Sequence, residues 1–185
     1  MKNILITGCA GFIGFHLSQL LLKSGYKVYG VDNLNDYYST KLKSSRIQLL
    51  EKDSKFIFYQ IDIRDIKKIA FIEKIDCVIN LAAQAGVRLP RENFNKYLAS
   101  NVEGFLSILD FCVDNSIDKV LYESSSSVYG ETNSIPFSEN EPINLPKSIY
   151  ASSKIFNENL ASVYSSEFNI NFIGFRFFTV YGPWG

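Results

Sequence analysis

Residues 3–32 narrow the possible folds more than any other stretch. "NILIT" is a short apolar run, "GCAGFIG" follows with glycines at 8, 11 and 14, a segment of helical period runs through "FHLSQLLLKSG", and "KVYGVD" makes a second apolar run. Two strands joined through a helix are expected to lie parallel, since a parallel return needs a crossover of a dozen or more residues. The same rhythm continues along the chain. Strands are expected at 3–7, 27–31, 55–59, 76–80, 118–123 and 170–176, and helices at 12–24, 40–51, 65–72, 94–114 and 148–167. Helices alternating with parallel strands supply the crossovers and cover both faces of the sheet, so the expected fold class is doubly wound α/β. A chain of 185 residues suits one domain, 1–185, without room for a second complete one.

Three spaced glycines alone are weak evidence, and their context gives them meaning. Gly8, Gly11 and Gly14 directly follow the first strand and open the first helix. Gly8 allows the tight turn, Gly11 lets the backbone approach a pyrophosphate, and Gly14 allows close helix packing, while the phosphates meet the free N–H groups of the helix start. Phe12, Leu17, Leu20 and Leu21 are expected on the inward face of that helix. Asp32 closes the second strand, eighteen residues after Gly14. There a carboxylate accepts hydrogen bonds from both hydroxyls of an adenosine ribose and repels a 2′-phosphate, so NAD is favoured over NADP. An aspartate ending a strand also serves simply to cap a turn. With glycines, strand and helix in register, the unit reads as a Rossmann-type nucleotide cradle. Asp62, ending the third strand, is within reach of an adenine, and Ala82 and Ala83 in "NLAAQAG" are small enough to admit a cofactor.

Nineteen basic and nineteen acidic side chains cancel, so no net field draws the chain to nucleic acid or to an anionic membrane. Cys9, Cys77 and Cys112 are widely spaced and His16 is the single histidine, which argues against a disulfide framework and against a metal site. A reduced, cytoplasmic protein is expected. The apolar start is too short for a signal sequence or a membrane span. His16 is expected on or near the outer face of its helix, and Cys9 is expected to meet a cofactor at most through its backbone. "GETNSIPFSENEPINLPKS", residues 130–148, is polar and turn-rich and reads as a surface excursion able to hang over a pocket. Phe177, Phe178, Tyr181 and Trp184 crowd the end, where a finished domain would seldom leave them without partners.

"YASSK" sets Tyr150 and Lys154 four apart, one helical turn from each other. An ammonium beside a phenol stabilises the phenolate and lowers a pKa that is roughly 10 when free, which makes a base usable near neutrality. A Tyr–Lys pair at this spacing is usually surface decoration. Behind a nucleotide cradle, and with Ser124 to Ser127 ending a central strand, the catalytic reading gains weight.

Taken together, "GxxGFIG", "DNL", "NLAAQAGV", "SSSSVYG", "YASSK" and "FRFFTVYGP" resemble the extended short-chain dehydrogenase/reductase family, in its branch of nucleotide-sugar epimerases and dehydratases, over essentially the whole chain. The resemblance implies that Tyr150, Lys154 and Ser125 are catalytic, with Tyr150 and Lys154 also touching NAD. It implies a cofactor site of Gly8, Gly11, Phe12, Ile13, Gly14, Asp32, Asn33, Asp62, Ile63, Leu81, Ala82 and Ala83, and a substrate side of Arg88, Ser126, Ser127 and Thr179. In such enzymes the tyrosine takes the proton of the sugar 4-hydroxyl while the C4 hydride passes to NAD, and an epimerase returns both on the opposite face of a 4-keto sugar. A 4,6-dehydratase needs an Asp–Glu pair where this chain has Ser126 and Ser127, so dehydration is disfavoured. "NLNDYY", "AAQAGVR", the four serines and Thr179 resemble the branch acting on UDP-glucuronate, for which Arg88 offers a bidentate partner to the hexuronate carboxylate. Arg176 is expected to support the site from the last strand. The resemblance further implies a UDP-sugar substrate and a homodimer through the two long helices, and the C-terminal substrate region that such enzymes carry is expected to be absent from this chain; the sequence shows no membrane anchor. Another nucleotide-sugar epimerase or 4,6-dehydratase and a non-catalytic, truncated NAD-binding protein are the alternatives. A nucleic-acid module is a weaker one, since glycines rather than lysines would hold the phosphates.

Overall fold

A computed structural model describes residues 2–71, 73–131, 136–141, 143 and 145–185. β1 (Asn3–Thr7), β2 (Lys27–Asp32), β3 (Phe56–Gln60), β4 (Cys77–Asn80), β5 (Lys119–Ser125) and β6 (Asn171–Phe177) form one sheet in the order β3-β2-β1-β4-β5-β6. Every pairing is parallel; Ile4 lies opposite Val28 on one side and Cys77 on the other. The strand order reverses between β1 and β4, which opens a crevice at their carboxyl ends.

Alternation along the buried strands divides the core in two. Ile4, Ile6, Val28 and Ile79 pack with Phe15 and Leu22 of α1 (Phe12–Lys23) and Ile47 and Leu50 of α2 (Thr40–Leu50). Leu5, Tyr29, Val78, Val120 and Tyr122 face the other way, onto Phe105, Ile108 and Leu109 of a later helix and Ala161 of the long one. Both sheet faces are thus covered, as continuous apolar strands require.

Three elements differ from the sequence expectation. On α1 the buried residues are Gly14, Phe15, Ser18 and Leu22, whereas Leu20, expected inward, is 61% exposed. The helix is rotated so that Gly14 meets the glycine loop at Gly8 and Cys9, the Ser18 hydroxyl turns back onto the Gly14 carbonyl, and Leu17 and Leu21 pack against the core half-buried. Residues 65–72 are not an α-helix; a 3-10 helix, Ile63–Lys68, stands there, capped by Asp62, whose side chain accepts from the Arg64 N–H at 3.0 Å. Its buried residues, Ile63 and Ile66, stand three apart, the spacing that a 3-10 turn stacks on one face.

The segment 94–114 is built from several pieces: α3 (Asn95–Tyr97), a π-helix (Leu98–Glu103) and α4 (Gly104–Asp114), after a 3-10 turn at Arg91–Asn93. Gly104 permits this close passage, since a Cβ there would stand 2.4 Å from Ile63 Cδ1. α5 (Ile149–Phe168) starts at Ser148, whose hydroxyl accepts from the Ala151 N–H at 3.0 Å, and stops at Asn169 in the left-handed region, φ 54°.

Candidate active site

Every strand of the crevice contributes to one cavity of about 840 Å³. Its floor begins at the glycine loop. Gly8 has φ +70°, and a Cβ on it would lie 2.7 Å from the carbonyl of Leu81, so the loops after β1 and β4 are pressed together. Thr7, fully buried and passed over in the sequence reading, locks them. Its hydroxyl donates to Asn80 Oδ1 at 2.6 Å and accepts from the N–H groups of Leu81 and Ala82, each at 3.2 Å. A Cβ on Gly14 would stand 2.2 Å from the Gly8 carbonyl oxygen, which is the close helix packing that the motif requires.

α1 begins at Gly11 with no side-chain cap, and no acidic residue occupies its first turn. Its first N–H groups and the positive end of the helix dipole therefore face a cavity wall made of Gly8, Gly11, Phe12, Ile13 and Gly14. Asp32 stands at the far side of the same loop. One carboxylate oxygen accepts from the Ala10 N–H at 3.2 Å and the other from the Leu34 N–H at 2.8 Å. It thus caps a turn and lines the cavity at once. Burial raises its pKa, while those two N–H groups and the Lys43 and Arg46 cations oppose the shift. Arg46, also unforeseen, donates to the Ala10 carbonyl at 2.8 Å, so Asp32 and Arg46 grip one residue of the loop from both of its backbone groups.

Asn33, Asp62, Ile63, Leu81, Ala82 and Ala83 line the cavity as expected from their positions. Asp62 is heavily engaged: it accepts from Asn33 Nδ2 at 3.2 Å and from Arg64 Nε at 2.9 Å. Burial works against its charge, yet the Arg64 and Asn33 hydrogen bonds hold its carboxyl below the usual range. Cys9 points into the core, and burial, with Asp32 adding, pushes its thiol well up. His16 Nε2 lies 2.8 Å from the Pro183 carbonyl oxygen and ties α1 to the C-terminal segment. Among the described residues no group of three or more His, Cys, Asp or Glu is placed to hold a metal ion.

Ser125, Ser126, Ser127 and Tyr150 form the opposite wall, with Thr179 at its rim. Ser125 ends β5 and faces the Tyr150 phenol, which stands at the start of α5. Lys154 Nζ lies 5.6 Å from the centre of the Tyr150 ring. Its ammonium is fully buried and paired with Glu123, two residues before Ser125 on β5 and absent from the sequence reading. That pair changes the electrostatics foreseen for the tyrosine. Burial pushes the Tyr150 phenol well above its ordinary pKa, the Glu123 carboxylate adds to this, and the Ser125 hydroxyl opposes it. A lone carboxylate inside an apolar central strand is the signal that would have found Glu123, since buried charge must be paired.

Asn101 of the π-helix was also missed. It accepts from the Gln84 N–H at 2.8 Å and donates to Ser153 Oγ at 3.0 Å, and Ser153 donates to the Tyr150 carbonyl at 2.7 Å. This chain of bonds ties the β4 loop to the first turn of α5.

Arg88 is not brought to the site. It is exposed and outside the cavity wall, although its neighbour Val87 lines it; Tyr97 Oη bonds both the Gly86 carbonyl and the Leu89 N–H and so fixes the turn that carries Arg88. Arg176 supports the wall from behind, donating to Glu158 through Nε at 3.0 Å and Nη2 at 2.8 Å, with its guanidinium 4.8 Å from the Tyr129 ring centre. In the polar excursion 130–148, residues 132–135, 142 and 144 lie outside the described residues. Its described residues do not line the cavity; Phe137 packs between Tyr129 and Phe178. At the C-terminal end, Trp184 packs on Phe15, while Tyr181 is exposed.

Comparison with known proteins gives a consistent result. Residues 4–185 match the model of the NAD dependent epimerase/dehydratase family. Protein CapI of Staphylococcus aureus is 48% identical over 186 residues, covering 99% of this chain and 55% of that protein. UDP-glucuronate 4-epimerase 2 of Arabidopsis thaliana is 44% identical over 187 residues, covering 99% of this chain and 43% of that protein. A tyrosine-to-phenylalanine variant of the UDP-glucuronic acid 4-epimerase of Bacillus cereus, solved with UDP-4-deoxy-4-fluoro-glucuronic acid and NAD, superposes with a TM-score of 0.90 at 40% identity, covering 98% of this chain and 58% of that one. The chain spans about half the length of the curated relatives it matches.

Proposed function

Since the chain belongs to the NAD-dependent epimerase/dehydratase family, we propose that it carries the cofactor-binding and reacting groups of a nucleotide-sugar 4-epimerase, with UDP-glucuronate as substrate and UDP-galacturonate as product. The carrying observation is the meeting of Ser125 and Tyr150 on the same cavity as the uncapped glycine-loop helix, with the Lys154 ammonium buried 5.6 Å from the centre of the Tyr150 ring. The UDP-glucuronate 4-epimerases among the relatives support the choice of sugar. The absence of a carboxylate at Ser126 and Ser127 disfavours 4,6-dehydration.

Gly8, Gly11 and Gly14 with the first turn of α1 would hold a pyrophosphate, and Asp32 a ribose. NAD, when bound, supplies the acceptor for the C4 hydride and gives it back. Tyr150 Oη takes the proton of the 4-hydroxyl as that hydride leaves, and the sugar becomes a transient 4-keto species. Ser125 orients the same oxygen. After the sugar turns over, the phenol returns its proton to the oxygen at C4. Lys154 stabilises the phenolate that this cycle passes through. We further propose that a second copy pairs through α4 and α5, and that the protein works in the cytoplasm, where Cys9, Cys77 and Cys112 stay free thiols. Among the described residues, no helix is long and apolar enough to cross a membrane.

Proton NMR of the sugar anomeric region, with this chain, NAD and UDP-glucuronate, tests the reading. A growing UDP-galacturonate signal is the expected outcome. Conversion of UDP-glucose but not UDP-glucuronate would transfer the assignment to another epimerase branch, and conversion of neither would overturn it for this chain.

A further inference from the structure

The Lys154–Glu123 pair is not accounted for by the chemistry above. Lys154 is assigned to support a phenolate, yet its side chain is 0% exposed and its ammonium is held by Glu123, whose side chain is 12% exposed. Glu123 lines the cavity beside Ser124, Ser125 and Tyr150, and Lys154 does not. A carboxylate in the interior of a central parallel strand costs free energy unless it is paired, and here its partner is the one cation assigned to the reaction. Nearby carboxylates are committed elsewhere: Glu158 takes the Ser124 hydroxyl and the Arg176 guanidinium.

From this geometry, and resting on the epimerase reading, we infer that Glu123 is a positioning residue: it fixes the Lys154 ammonium against β5 and offsets its charge, so that Tyr150 keeps its proton while the site is free of cofactor. The groups that face the phenol are Lys154 from its own helix, Glu123 and Ser125 from β5, Tyr97 from α3 and Tyr38 from the loop after β2. Glu123 is the carboxylate among them. Burial raises its own pKa, and Lys154 pulls it part of the way back.

The test is the titration of the Tyr150 ring carbon in the full 185-residue chain labelled with 13C-tyrosine, without NAD or sugar, assigned by its loss in Tyr150→Phe. Glu123→Gln removes the negative charge and leaves Lys154 unopposed. The phenol should then titrate lower than in the parent chain by about one pH unit or more. An unchanged titration overturns the proposal. Should the unmatched buried lysine stop Glu123→Gln from folding, the parent chain alone still decides. Its Lys154 15Nζ signal, assigned through Lys154→Arg, should move as acid protonates Glu123, and a signal that ignores that step overturns the proposal. Because neither readout involves turnover, a shifted titration without sugar conversion supports the role of Glu123 while removing the substrate assignment. Sugar conversion with an unshifted titration does the reverse.

Discussion

Asp32 shows how one side chain can satisfy two demands. Its oxygens accept the Ala10 and Leu34 N–H groups, which shapes the glycine loop, and its charge faces the cavity where a ribose would lie. Asp32→Asn keeps the size and one acceptor but loses the charge. We expect NAD affinity to fall about tenfold or more, as for loss of a hydrogen bond to a charged group, and the preference over NADP to shrink. Isothermal titration with each dinucleotide reads both effects; equal losses for the two would refute the charge argument. Tyr150 and Lys154 were legible from a spacing of four, but the counter-charge that Lys154 meets was not. It is Glu123, a residue 27 positions before Tyr150 that only the packing of α5 on β5 brings to the lysine.

At the scale of elements, the π-helix Leu98–Glu103 and the 3-10 helix Ile63–Lys68 are where the sequence pattern misleads. Both segments carry a helical period, which does not distinguish α from its tighter and wider relatives. In the π-helix, Asn101 holds the Gln84 N–H and Ser153 together beside Tyr150. Asn101→Ala leaves a buried N–H unpaired and should cost about 1–3 kcal/mol in urea unfolding. A cost near zero would mean that water replaces the amide.

In the 3-10 helix, the depressed pKa of Asp62 makes stability depend on pH. Its folded value lies below its unfolded one, so the contribution is complete above roughly pH 4 and drains away as pH falls through the folded value. Comparing Asp62→Asn with the parent chain by urea unfolding between pH 7 and pH 3 should show the gap between them narrowing towards acid. A gap that stays constant would show that the carboxylate is not the source.

For the molecule as a whole, the sheet order places every site element at the carboxyl ends of the strands, while apolar side chains remain exposed on two helices. Leu106 of α4 and Phe156 and Val163 of α5 are open to solvent. If a second copy covers them, light scattering after gel filtration should give twice the 21.0 kDa of one chain. Val163→Glu should then yield a monomer with unchanged circular dichroism. A monomer in the parent chain would remove the dimer from the proposal.

The parallel α/β architecture, the first βαβ unit, the glycine loop and the Tyr–Lys spacing are legible from residue order alone, because each rests on a short-range period or on steric limits of neighbouring residues. Leu20, Arg88, Asn101 and Glu123 were decided by tertiary structure. Leu20 faces out because α1 turns Gly14 onto the loop, and Arg88 is exposed because Tyr97 pins the chain on either side of it. Asn101 and Glu123 reach the site because distant elements fold against them, and no local pattern encodes the charge or hydrogen bond that a remote partner will supply.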